Sequence, residues 1–123
     1  MPNRLTLSAL ARQLADREVS AGEAMQACLD QIQRVDPQIH AFLSYDADDA
    51  LAQAKVADQR LATRPAPANQ PLLGIPIAIK DVIAVRNHPL NCGSKILGQF
   101  ISPYDATVIE RLKAAGAIVF GRL

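Results

Sequence analysis

Gly74-Ile75-Pro76-Ile77-Ala78-Ile79-Lys80-Asp81 ends a run suited to a protein interior on a lysine and an aspartate. Ile75, Ile77 and Ile79 alternate at the strand period, so the stretch predicts a β-strand with Pro76, Ala78 and Lys80 on its other face. That face carries small side chains around the lysine and reads as the wall of a pocket. Burial disfavours the charged form of a lysine, and a neutral lysine accepts protons near neutral pH. One reading of Lys80 is therefore a general base. The other is a strand-end lysine that reaches water or pairs with Asp81.

The residues on either side extend the strand into an α/β unit. Downstream, Asp105 is placed as an N-cap, Val108, Ile109, Leu112 and Ala115 recur at helical spacing, and Gly116 stands where helices commonly end. Residues 117–120 read as a second buried strand, and a strand, loop, helix and strand of this length predict a crossover with the two strands parallel. Upstream, Leu7, Leu10, Ala11 and Leu14 predict a helix over about residues 6–17. Ser20 and Glu23 form a capping box, and Met25, Cys28, Leu29 and Ile32 continue a stripe that Asp36-Pro37 is expected to end. A brief strand is expected over residues 39–45, and Asp46 then caps an alanine-rich helix with Ala50, Leu51, Ala54, Ala57 and Leu61 inward.

Three prolines in residues 65–71 mark a surface connection. The organisation expected is a helical layer with one short strand over residues 1–64, that connection over 65–71, and the lysine-bearing strand, loop, helix and strand over 72–123. The fold class is α/β, with N-terminal helices packed on the beginning of a mixed or parallel sheet. A sheet begun here should expose an open edge and the apolar side chains of Ile77, Ile79, Ile118 and Phe120, so residues 1–123 read as the N-terminal portion of one larger domain.

Composition narrows the chemistry. The 123 residues are 50% hydrophobic and carry a formal net charge of +1 with no tryptophan. That balance offers neither an electrostatic footprint for nucleic acid or anionic membrane nor a base-stacking surface. No leader-like start and no transmembrane-length apolar run is visible, which makes the cytoplasm the expected location. Cys28 lies on a helical stripe as a buried thiol, and Cys92 precedes Gly93 in a loop. His40 and His88 stand alone, so no zinc site assembles. Asp46, Asp48 and Asp49 lack the glycine and glutamate of a calcium loop and fit the first turn of a helix. Ser8 and Ser20 sit at helix starts, Ser44 in an apolar stretch and Ser102 before a proline. Ser94 is beside a glycine in a loop, and none of the five has the glycine-flanked setting of a strained nucleophile turn.

Residues 71–81, followed by Cys92-Gly93-Ser94-Lys95-Ile96-Leu97, by residues 102–112 beginning Ser102-Pro103-Tyr104-Asp105, and by residues 115–121, resemble the amidase signature family in order and spacing. The resemblance implies a partial amidase signature fold and a serine amidohydrolase with a Ser-cisSer-Lys triad. Lys80 is then its catalytic lysine, and both serines belong to segments after Leu123, so the isolated chain should be inactive. The wording of residues 94–97 and 103–105 is most like the branch that hydrolyses glutamine within a tRNA-dependent amidotransferase. For that branch the resemblance implies glutamine as substrate and ammonia passed to subunits B and C of a hetero-oligomer. It further implies tRNA met only through the complex, with ATP and magnesium belonging to a partner and no cofactor bound by this segment. A stand-alone amidase of the same family, or a noncatalytic scaffold, are the alternatives.

Overall fold

The computed structural model describes residues 1–63 and 69–123. Residues 64–68, the greater part of the proline-rich connection, lie outside the described residues. Local side-chain chemistry sets most helix starts. The Thr6 hydroxyl accepts the Ala9 N–H at 3.2 Å and opens α1 (Leu7–Ala15). Ser8, expected at the cap, lies in the first turn and shares its hydroxyl with Thr6. At α2 (Ala21–Ile39) both halves of the capping box are present, and Asp58 from the next helix accepts the Ala21 and Gly22 N–H groups at 2.6 and 3.0 Å. Those bonds satisfy donors that a helix start leaves open and fasten α2 to its neighbour. The helix α3 (Ala47–Thr63) opens as read, with the Asp46 carboxylate accepting the Asp49 N–H at 3.0 Å.

The end of α2 differs from expectation. Pro37 lies inside the helix, which continues to Ile39 and stops with His40 at φ 54°. A proline in the final turn removes one hydrogen bond but not the helix. The Asp36 carboxylate then accepts the N–H groups of Ala41 and Phe42 at 2.8 and 3.3 Å. With those donors taken, the strand expected over 39–45 shrinks to β1 (Ser44–Tyr45).

The sheet has the order β1-β3-β2, where β2 is Pro76–Ile79 and β3 is Ile118–Arg122. The crossover through α4 (Thr107–Ala114) makes β2 and β3 parallel, and β1 adds antiparallel to β3, so the sheet is mixed. Gly116 follows α4 at φ 92°, and a Cβ there would stand 2.7 Å from the Leu73 Cα. Only glycine permits both the left-handed turn and that approach. Asp105 does not cap α4. Ala106 holds that position without a side-chain bond, while the Asp105 carboxylate accepts from the Arg86 N–H and the Lys113 Nζ.

Alternation along β3 assigns the faces of the sheet. Ile118 and Phe120 join the cluster of α1, α2 and α3 built on Leu14, Met25, Leu29 and Ala54, whereas Val119 packs with Ile79, Val85 and Ile109 on the α4 side. Ile79, Ile118 and Phe120 are consequently buried, contrary to the expectation of an exposed sheet. Val108, read as inward, is exposed. Among the described residues β2 and β1 each have one unpaired edge.

Candidate active site

Lys80 leaves β2 at its carboxyl end, the side on which parallel α/β sheets place their ligands. Both neighbours in the chain are pinned to the end of β3. Leu123 donates its N–H to the Ile79 carbonyl and accepts the Asp81 N–H, each at 2.8 Å. The Ile83 N–H closes a turn on the Lys80 carbonyl at 2.9 Å. The backbone is held on all sides, yet the Lys80 side chain is exposed and, among the described residues, has no hydrogen bond or ion pair. The small residues before it do not wall a lysine pocket. Pro76 and Ala78 face α2 instead and line a hollow of about 310 Å³ with Cys28, Ile32 and Phe42.

Asp81 turns away from Lys80 and inward. It is 5% exposed, and its Oδ1 accepts from Arg122 Nε at 3.1 Å and from the Asn91 N–H at 3.3 Å. Burial by itself pushes the Asp81 carboxyl upward. The Asn91 N–H and the Arg122 guanidinium outweigh that and hold it below the usual aspartate value. Arg122, 3% exposed, also donates through Nη2 to the carbonyls of Asp81 and Ile83 at 2.9 and 3.0 Å. Asp81 Oδ2, Asn91 Oδ1 and Arg122 Nη1 are buried without a partner among the described residues. Arg122 further lines a cavity of about 400 Å³ with Tyr45, Asp46, Asp49 and His88. Sequence reasoning missed Arg122, although it carries the same signal as Lys80, a charge closing an apolar strand.

The other candidates disperse. Ser20 is spent on its cap, Ser8 on Thr6, and Ser94 accepts the Ile96 N–H at 3.2 Å. Ser102 is fully buried and donates to the Tyr104 carbonyl at 2.7 Å, while Ser44 lies exposed in β1. Cys28 is half-buried rather than buried, and desolvation pushes its thiol up; Cys92 is exposed. Asp46 caps α3, with Asp48 and Asp49 in its first turn. Among the described residues no group of three or more His, Cys, Asp or Glu side chains could hold a metal, and no helix is long and apolar enough to cross a membrane.

A parallel β-α-β crossover that ends one strand on a free amine, beside a buried ion pair closing the next, defines an α/β unit with polar groups at the carboxyl edge of its sheet. The chain belongs to the amidase family, whose pattern matches residues 23–123. It is 48% identical over all 123 residues to the A subunit of glutamyl-tRNA(Gln) amidotransferase from Pseudomonas aeruginosa and covers 25% of that protein. Against the corresponding protein of Acidothermus cellulolyticus it is 49% identical over 97% of its own length and 23% of the relative's. The peptide amidase of Stenotrophomonas maltophilia superposes with a TM-score of 0.86 at 29% identity, over 97% of this chain and 24% of the other. The chain thus spans about a quarter of the length of the curated relatives it matches.

Proposed function

We propose that this segment supplies the general base, Lys80, of an amidase that hydrolyses glutamine within a tRNA-dependent amidotransferase. The observation that carries the reading is a free amine on a backbone pinned by Leu123 at the carboxyl end of a parallel strand. In the complete enzyme Lys80 takes up a proton, by way of the cis-linked serine, from the serine that attacks the amide carbonyl. The acyl group passes to that serine as an ester while Lys80 returns the proton to the amide nitrogen, which leaves as ammonia, and water then hydrolyses the ester and restores the serine hydroxyl. Lysine suits this proton transfer because, unlike arginine, it can give up its proton in a protein.

Identity of 48% across the chain to one component of a glutamyl-tRNA(Gln) amidotransferase, against 29% to a peptide amidase, favours the tRNA-linked branch over a stand-alone amidase. In that branch ammonia goes to partner subunits B and C, which meet the tRNA and use ATP and magnesium; this segment binds no cofactor. Ammonia release should therefore be faster from glutamine than from aryl or peptide amides when the complete amidase containing this segment is assayed. The reverse preference would transfer it to the stand-alone branch. The isolated 123-residue chain should release no ammonia above background, since removing the nucleophile from a catalytic unit leaves little rate. Turnover abolished by Ser94→Ala would reveal an internal nucleophile.

A further inference from the structure

We propose that Arg122 and Asp81 are positioning residues for Lys80, a role that rests on the base reading above. Arginine–carboxylate ion pairs are frequently bidentate, with both carboxylate oxygens engaged in a fork. Arg122 does otherwise. Only its Nε meets Asp81, at Oδ1 and 3.1 Å, while Nη2 reaches the carbonyls of Asp81 and Ile83 at 2.9 and 3.0 Å. Oδ2 and Nη1 are left without partners among the described residues. The geometry favours holding the main chain over maximising the charge pair.

The main chain so held is the turn that begins at Lys80. Its closing bond runs from the Ile83 N–H to the Lys80 carbonyl, and the two bonds to Leu123 bracket Lys80 from the strand side. Arg122 immediately precedes Leu123, so one short segment of β3 fixes the lysine backbone from both directions. Lysine has a long, flexible stem, and its amine reaches a reacting serine reproducibly only if the Cα is fixed. A displacement of about 1 Å at a catalytic group costs on the order of 100-fold in rate. Loss of the clamp should therefore appear in kcat, because Arg122 bonds to the main chain of the turn that carries Lys80.

The test uses the complete amidase containing this segment, with glutamine as substrate. Asp81→Asn combined with Arg122→Met removes both charges together and leaves no buried charge unpaired, so the fold is retained, as circular dichroism and melting temperature will verify. The double variant should lose about 100-fold in kcat with KM within about threefold of wild type. Arg122→Lys, combined with native Asp81, should recover part of the loss by restoring charge with fewer donors. On a Lys80→Ala background the double substitution should cause no further loss, since its effect passes through the lysine. A folded double variant at wild-type kcat, or an undiminished extra loss on Lys80→Ala, would overturn the positioning role. If the double variant does not fold, Asp81→Asn alone decides, with about a tenfold lower kcat at unchanged KM supporting the proposal and wild-type kcat overturning it. Wild-type turnover by Lys80→Ala would instead remove the base reading itself, an outcome distinct from a dead Lys80→Ala beside a fully active clamp variant.

Discussion

The helical layer of α1, α2 and α3 and the crossover over residues 72–123 differ in how their polar groups are partnered. In the helical layer open donors and acceptors at the helix ends are matched by side chains of the same layer. Ser20 and Glu23 cap each other's backbone, Asp58 takes two N–H groups of α2, and Arg17 donates to the carbonyls of Leu61 and Ala62 at the end of α3 at 2.8 and 2.9 Å. The crossover instead buries an ion pair with orphaned atoms and leaves Lys80 unpartnered among the described residues. The proposed base lies in the crossover, the region with the unpartnered amine.

Chemical denaturation of the 123-residue chain would sharpen that contrast. Arg122→Met should have the largest effect, about 3–5 kcal/mol, because it strands the Asp81 carboxylate in the interior. Asp58→Ala, which frees two helix-start donors in the scaffold, should cost about 1–2 kcal/mol. Lys113→Ala should cost less than about 1 kcal/mol, because its bond to Asp105 lies near the surface. Equal losses for Arg122→Met and Asp58→Ala would erase the distinction between the regions.

The same pair predicts a pH dependence. The Asp81 carboxyl lies below its ordinary value in the folded state, so its contribution to stability is complete above the unfolded aspartate value near 3.9 and is lost as pH falls through the lower folded value. Denaturation midpoints of the native chain and Asp81→Asn should therefore differ most near pH 6 and converge in acid. A difference that stays constant down through that window would show that the carboxylate charge is not what stabilises the turn.

Local patterns made much of this legible in the sequence. The Ser20 capping box, the Asp46 cap and the glycine after α4 are each encoded within a few residues, the parallel crossover in the order of strand, loop, helix and strand, and each stands in the structure. The features that were not legible depend on which partner a side chain selects, near or far in the chain. Asp36 captures the amides of residues 41 and 42 and erases most of a strand, while Asp105 is drawn from its helix by Arg86 and Lys113. The Asp81–Arg122 pair joins positions 41 residues apart, so nothing in the Lys80-Asp81 dipeptide announces it. Burial of Ile79, Ile118 and Phe120 likewise follows from helices folding back over both faces, which periodicity in one strand cannot reveal.

The role of Lys80 as a base is tested most directly by ammonia release from glutamine in the complete amidase carrying Lys80→Arg, with Lys95→Arg as the comparison. Arginine keeps the positive charge but cannot give up its proton, so Lys80→Arg should lower turnover by about 10²-fold or more, the scale of general-base catalysis, while Lys95→Arg stays near wild type. A folded Lys80→Arg enzyme turning over glutamine at the native rate would contradict the assignment.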